Sequence, residues 1–502
     1  MPSRDRTLVQ VWPADSKEAQ VALVPRGDIV SERADGDGRF EQQHGPFRHY
    51  RREVTVDGDG AVRSTTTYDL SVPWFGWLFS APVRGALRNR REPGTPTPWW
   101  SPPDQLSERQ VRALSLLAVA AAAAAFANTL FTQTATFAAD SFGVSDRGLG
   151  HAGAIVRLGV VVALPFAFVA DRWGRRRTIV LISWLTPVIC ALGAFAPSFG
   201  VLTATQTVAR PLGIALALLA GVAAAEEMPR NSRAYAISLL AMSAGLGAGI
   251  AVASLTLADV GDDGWRLTYL LSLIWLPVAV SLGRRLDETR RFETVHEVAP
   301  PLNRRRLALI AAVALTANLF VAPASFFQNT YLDDVRGYSG GSVALFTLAT
   351  GTPASLGLVV GGRLADVFGR KRMIAVCTPI STLCLVTAFL VAGAWMWAAA
   401  LMGGLLGAMA YPAYAVYRAE LFPTGNRGKA NGLITTGALL AGSAAIVFVG
   451  TLRDRGHSFG MLLAILAVGQ LIAAAIAYRF YPETAHLELE QLNPGDPAVG
   501  DG

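Results

Sequence analysis

Between Val111 and Tyr481 the sequence passes through about twelve apolar runs, each near the roughly 20 residues that an α-helix needs to cross the hydrocarbon core of a bilayer. They fall at about 111–138, 149–170, 178–198, 200–225, 235–258, 265–283, 307–331, 342–365, 373–393, 395–418, 430–451 and 459–480. Connections between them are short, so no second large domain fits within this stretch. The chain is 52% hydrophobic and 16% charged, with a mean hydropathy of +0.37. That excludes an ordinary water-soluble enzyme. Alanine from Ala118 to Ala127, and glycine at Gly245, Gly247, Gly249, Gly403, Gly404 and Gly407, supply the small side chains that let membrane helices pack closely.

The net charge of +7 matters less than its placement. Arginine and lysine follow every second run: Arg172 and Arg175 to Arg177, Arg230 and Arg233, Arg284 to Arg306, Arg370 to Arg372, then Arg427 and Lys429. The alternate connections are nearly uncharged or carry Asp140, Asp146, Asp262, Asp263, Asp333 and Asp334. Basic loops stay in the cytoplasm, so both termini are expected there, in the plasma membrane. Met1 to Glu41 holds no apolar core of signal-peptide length, and the first span is expected to act as its own insertion signal. Cys190, Cys377 and Cys384 lie inside apolar runs, and the six histidines are dispersed. Neither pattern provides a disulfide framework or metal spacing, so no metal, cofactor or catalytic group is expected. The arginines follow topology instead of gathering on one soluble face, which argues against nucleic-acid binding.

The two halves of the apolar region repeat one another. Ala170-Asp171-Arg172-Trp173-Gly174-Arg175-Arg176-Arg177 returns as Ala365-Asp366-Val367-Phe368-Gly369-Arg370-Lys371-Arg372, 195 positions on. Glu226-Glu227-Met228-Pro229 with Arg233 returns as Glu420-Leu421-Phe422-Pro423 with Arg427, 194 positions on. Ala127-Asn128 and Ala317-Asn318 form a weaker pair at 190. Two motifs sharing one offset indicate that six spans were duplicated to twelve.

These repeated residues resemble the signature of the major facilitator superfamily, over roughly residues 111–490. Gly264-Trp265-Arg266, Glu288-Thr289-Arg290-Arg291-Phe292, Pro482-Glu483-Thr484 and Leu489-Glu490 are similar to sequences of its sugar-porter-like and metabolite porters, although Ala167 and His486 replace two glycines of that pattern. The resemblance implies an all-α membrane protein of two six-helix pseudo-repeats, with a substrate site near the midplane between two rocking halves. It also implies a cytoplasmic latch. Asp171 and Asp366 would face helix N-termini, Arg175 and Arg177 would pair with Glu226, Arg370 and Arg372 with Glu420, and Arg233 and Arg427 would complete the networks. The bland alternative is that these arginines set topology and touch anionic headgroups.

Charges inside a span are expensive and are functional candidates by default. Arg210 lies ten residues into the fourth span, about 15 Å from its outer end at 1.5 Å per residue. Arg157 is shallower and has the alternative of snorkelling outward; for Arg210 the alternative is bonding to a carbonyl freed by Pro211. Proton-coupled relatives pair such a fourth-span arginine with a first-span aspartate, but the resemblance places Asn128 there. The first span's other polar residues are Thr129, Thr132, Gln133 and Thr134. An organic anion that supplies the negative charge and facilitation without proton coupling both fit, and protons as coupling ion of a secondary active transporter stay open. The glutamine pair and tryptophan of hexose porters are missing: the seventh span reads Asn318 to Pro323 and position 415 is alanine. The fifth span lacks the Gly-Pro element of drug exporters. Substrate contacts are therefore expected from Arg210, Asn128, Gln133, Arg157, Asn318 and Tyr414, the last two with helix-to-helix bonding as the alternative role.

The expected domains are an extension at 1–92, a proline-rich linker at 93–110, six-helix bundles at 111–283 and 307–480, a central loop at 284–306 and a tail at 481–502. In the extension, Phe47 to Thr55 and Ala61 to Leu70 alternate like strands around Asp57-Gly58-Asp59-Gly60, a hairpin signal, so a small α+β or β-hairpin fold is expected. Val72 to Phe79 is aromatic and is followed by Arg84, Arg88, Arg90 and Arg91. That order fits an interfacial anchor on membrane lipids or, equally, a last helix that merely packs on its own core. The functional expectation is a transporter of a small organic solute, preferentially an anion. A sugar or polyol transporter, a drug exporter and a non-transporting sensor stay open.

Overall fold

The computed structural model describes residues 5–493 apart from 59, 92–96, 99, 145–147, 149–150, 154, 157–158, 160–162, 256, 258–260, 262, 290–291, 293–301, 329–330 and 339. The chain divides into two compact units, Met1–Leu116 and Leu117–Gly502.

The first unit is built on an antiparallel sheet of β1 (Arg6–Pro13), β2 (Ser31–Ala34), β3 (Arg39–His44), β4 (Phe47–Val56) and β5 (Ala61–Leu70), ordered β1-β5-β4-β3-β2. β4 and β5 are the hairpin expected from the Asp-Gly turn, with Gly60 at φ 81. Helices α1 (Lys17–Ala22) and α2 (Gly76–Arg88) complete the unit. Its core joins Leu8, Val30, Phe47, Tyr50 and Tyr68 to Val83 and Leu87 of α2. A buried polar knot pins the far edge of the sheet: Arg52 grips both oxygens of Glu32 at 2.8 and 2.6 Å, and Tyr50 donates to the same carboxylate at 2.6 Å. Burial pushes the Glu32 carboxyl up, but the hydrogen bonds and charge of Arg52, with Tyr50 and the Arg26 N–H, outweigh it and hold the group below its ordinary value.

The second unit is all helical. Its spans are α3 (Glu108–Ser141, which starts in the first unit), α4 (Ala163–Trp173), α5 (Arg175–Leu192), α6 (Phe199–Glu227), α7 (Arg233–Ala253), α8 (Trp265–Arg285), α9 (Arg304–Phe326), α10 (Gly340–Phe368), α11 (Arg370–Ala388), α12 (Gly393–Glu420), α13 (Arg427–Asp454) and α14 (Phe459–Phe480). Among the described residues eleven helices are long and apolar enough to cross a membrane. The other span is the second, of which α4 is the continuously described part. Leu271–Trp275 narrows to a 3-10 turn within α8. Small residues allow the expected close packing: a methyl on Gly247 of α7 would stand 1.9 Å from the Ala122 carbonyl of α3. Across the halves, α4 packs on α13 and α7 packs on α10. A short helix, α15 (Leu489–Leu492), follows the last span.

Candidate functional site

The duplicated motifs meet at the arginine-rich ends of the spans and build two clusters. In the first, Asp171 at the end of α4 accepts from the N–H groups of Gly428 at 3.1 Å and Lys429 at 2.7 Å, the opening turn of α13. Arg175 bonds Asp171 at 2.9 Å and Glu226 at 3.2 Å. Glu226 also accepts from Thr289 at 2.8 Å and from Arg427 at 3.2 Å. In the second, Asp366 accepts from the N–H groups of Ala234 at 3.3 Å and Tyr235 at 3.0 Å, where α7 begins. Arg370 bonds Asp366 at 3.0 Å and also Glu420, which takes Arg233 at 3.1 Å. Both aspartates thus occupy helix N-termini of the opposite half, where unpaired N–H groups and the helix dipole favour an anion.

The four arginines Arg175, Arg233, Arg370 and Arg427 are fully buried. Removing one partner from such a pair leaves an uncompensated charge, so the clusters are held as wholes. The expected places of Arg233 and Arg427 are exchanged: Arg233 joins the second cluster through Glu420, and Arg427 joins the first through Glu226, each across the interface between halves. The expected roles of Arg177 and Arg372 need correction. Both side chains are exposed, outside the clusters. Each lies two residues past the buried arginine, roughly 200° around a helix of 3.6 residues per turn, and the two cannot share a face.

Two further carboxylates, outside the duplicated aspartate and glutamate motifs, complete the geometry. Glu288 accepts from the N–H groups of Arg175 at 2.9 Å and Arg176 at 3.1 Å, and Glu483 from those of Arg370 at 3.0 Å and Lys371 at 3.1 Å. They cap α5 and α11. Gly174 at φ 105 and Gly369 at φ 104 turn the chain beneath them, and a methyl there would stand 2.3 and 2.7 Å from the capping carboxylates. Position 288 precedes 483 by 195 residues, the offset that also relates Asp171 to Asp366 and Arg175 to Arg370. The tail then crosses to the first half: Leu487 and Glu488 accept from Arg233 at 3.1 and 3.4 Å, and His486, at φ 66, meets Asn231 at 2.5 Å.

Farther into the bundle, Arg210 is half-buried on α6, directly before Pro211. Asn128 on α3 faces the same stretch. Its Oδ1 is buried without a hydrogen-bond partner among the described residues, and a methyl on Gly213, one turn past Arg210, would lie 2.9 Å from it. Gln133 is half-buried farther along α3. In the second half, Tyr414 of α12 accepts from Thr378 at 3.2 Å, and Asn318 of α9 borders Gly442 of α13. Arg157 lies outside the described residues.

The sequence profile of the Major Facilitator Superfamily matches residues 116–352 and 309–495. The chain belongs to this family. Among similar proteins, the cis,cis-muconate transport protein of Acinetobacter baylyi is 27% identical over 369 residues, spanning 68% of this chain and 87% of the relative. A chloramphenicol resistance protein of Streptomyces lividans is 28% identical over 395 residues, spanning 73% of this chain and 95% of the relative. Among solved superfamily structures, a proton:xylose symporter bound to 6-bromo-6-deoxy-D-glucose aligns with a TM-score of 0.67 at 16% identity, covering 78% of this chain and 99% of that one. That last likeness is one of fold. As a superfamily member the chain is a multi-pass membrane transporter.

Proposed function

We propose that the protein moves a small organic anion across the plasma membrane by alternating access, with both termini in the cytoplasm. The observation that carries the substrate class is a guanidinium, Arg210, held half-buried near the middle of α6, one turn before Gly213, which Asn128 borders. A cation in that position is costly and attracts negative charge strongly, because the surroundings are poor in water. The muconate transport protein, whose name specifies a dicarboxylate, adds support. Asn128 would orient the solute with its buried Oδ1 as acceptor, and Gln133, Asn318, Tyr414 and Arg157 would line the path.

The two arginine clusters act as the cytoplasmic latch in this reading. The contacts of Arg427 with Glu226 and Arg233 with Glu420 join the halves on the arginine-rich side, which basic-loop topology assigns to the cytoplasm. Closed there, the protein faces outward. Loading the site shifts the balance towards the state in which these contacts part, by as much as the solute's differential affinity for the two states.

The test is thermal unfolding of the detergent-purified full chain with muconate and related dicarboxylates, with neutral sugars and with cationic drugs. A ligand at a hundred times its dissociation constant adds about 2.7 kcal/mol if it binds the folded state alone. Stabilisation by dicarboxylates that vanishes in Arg210→Ala and persists partly in Arg210→Lys is expected. Stabilisation by sugars or cations alone overturns the anion assignment. Export of a drug-like solute is the second reading, favoured by the resistance protein of S. lividans; stabilisation by chloramphenicol that Arg210→Ala leaves intact would establish it.

A further inference from the structure

The first unit carries a face that its own core does not use. On α2, Val83 and Leu87 are buried against the sheet with Phe79 beside them. Trp77, Ala81, Arg84 and Arg88 recur at helical spacing on the opposite side, all exposed. Trp77 is 73% exposed and the flanking Leu78 46%. Neither side of α2 contains an acidic residue. Just before the helix, Trp74 is 44% exposed and stands at φ 67, a left-handed conformation rare for a bulky side chain.

The position of this face along the chain is fixed as well. Within the same compact unit, the hydroxyl of Ser115 donates to the Pro73 carbonyl, and Ser71 donates to Glu108 at 3.5 Å. Ser115 lies two turns into α3, the helix that continues as the first span. Trp74 and the start of α2 are therefore tied, within the first unit, to the opening turns of the helix that carries the first span. Arg90, one of the basic residues noted in sequence, belongs elsewhere: it donates to the carbonyls of Val21, Val24 and Pro25 and locks the end of α2 onto the domain.

We propose that the outward face of α2 lies on the surface of the membrane that the chain spans, with Trp77 and Leu78 among the headgroups and Arg84 and Arg88 on anionic lipid. Indole rings favour the interfacial zone, and a helix that is aromatic at one end and basic at the other combines apolar insertion with attraction to acidic headgroups. That attraction fades within a Debye length, and the Pro73–Ser115 link holds the helix near enough for it to act.

The test uses the full chain in lipid nanodiscs, either of phosphatidylcholine alone or of equal parts phosphatidylcholine and phosphatidylglycerol. Ala81→Cys carries a nitroxide label, with Cys384→Ser to remove the half-buried native thiol; Cys190 and Cys377 are buried. Power-saturation spectra report collision with oxygen, which concentrates in lipid, against a water-soluble nickel chelate. In the anionic discs oxygen access is expected to dominate. The ratio should fall severalfold in Trp77→Ser, in Arg84→Glu with Arg88→Glu, and in phosphatidylcholine alone. Both variants alter exposed side chains, so the sheet core stays intact. Dominant nickel access in anionic discs, or a ratio indifferent to lipid charge and to both variants, overturns the proposal. A label shielded from both collision partners also overturns it, because the face would then be covered by protein.

Discussion

The two cytoplasmic clusters descend from one duplicated pattern, yet the second is tied more tightly than the first. Each places an aspartate on the opposite half's helix N-terminus and a glutamate between two buried arginines. In the first, the post-span threonine, Thr289, bonds the central glutamate; in the second, Thr484 bonds Arg370 at 2.8 Å and leaves Glu420 to its arginines. The second also keeps Gly362, where a methyl would stand 2.7 Å from the Ala234 carbonyl across the interface, whereas the first has Ala167. It alone, among the described residues, receives the tail: Glu488 on Arg233 and Asn493 on the Glu420 carbonyl at 2.7 Å. Duplication preserved the buried charges and let their surroundings diverge. The difference between the clusters should therefore appear in packing and strap contacts, and not in the central ion pairs.

The largest expected effect tests that division. Glu420→Gln leaves Arg233 and Arg370 facing each other without the charge between them, and Glu226→Gln does the same to Arg175 and Arg427. Each should cost about 3–5 kcal/mol of the closed state. Ser238, fully buried under the latch on α7, gives the readout: Ser238→Cys should become reactive to a membrane-impermeant maleimide from the cytoplasmic side in both variants. Transport should fall with it. If one variant opens the latch and the other leaves it shut, the asymmetry lies in the ion pairs after all.

How much of this was legible in sequence follows from the physics of each part. The spans are plain because lipid forces each to be apolar over its full length, and the offsets of 195 and 194 locate both clusters. A run of arginines does not by itself say which member enters a network: helical phase turns Arg177 and Arg372 away from the clusters that Arg175 and Arg370 join. Glu288 and Glu483 were visible as motif letters only, because a carboxylate capping a helix from more than a hundred residues away leaves no local pattern. In the extension, β4 and β5 announced themselves by alternation around an Asp-Gly turn. β2 and β3 are short and charged, with Glu32 buried by Arg52 instead of by apolar neighbours, and escaped a reading based on hydrophobic period. Nothing in sequence foretold that His486, in place of a glycine, keeps a left-handed conformation and reaches the first half.

Packing at the second interface gives the next effect in size. Gly362→Ala forces a methyl against the Ala234 carbonyl and the Ser238 hydroxyl, both at 2.7 Å, and overpacking of this kind costs about 1–3 kcal/mol. It should slow transport and lower the thermal midpoint. Ala167→Gly, the mirror change at a position where the sequence already carries a methyl, should alter both far less. Equal tolerance of the two would show that close approach is no longer what separates the halves of the duplication.

The strap should give the smallest effect, and its salt dependence makes it separable from the others. Glu488 is 35% exposed in its side chain and sits 3.4 Å from Arg233 and 3.9 Å from Arg230. Exposed pairs contribute about 0.2–1 kcal/mol, so Glu488→Gln should raise maleimide labelling of Ser238→Cys only modestly. The rise should be clear at low ionic strength and fade in high salt, where the Debye length shrinks to about 3 Å at 1 M. The buried pairs of Glu226 and Glu420 are shielded from solvent, so labelling in their variants should hardly respond to salt. A Glu488→Gln effect that is large and salt-independent would mean that the tail is part of the buried latch itself, with Arg233 depending on it as much as on Glu420.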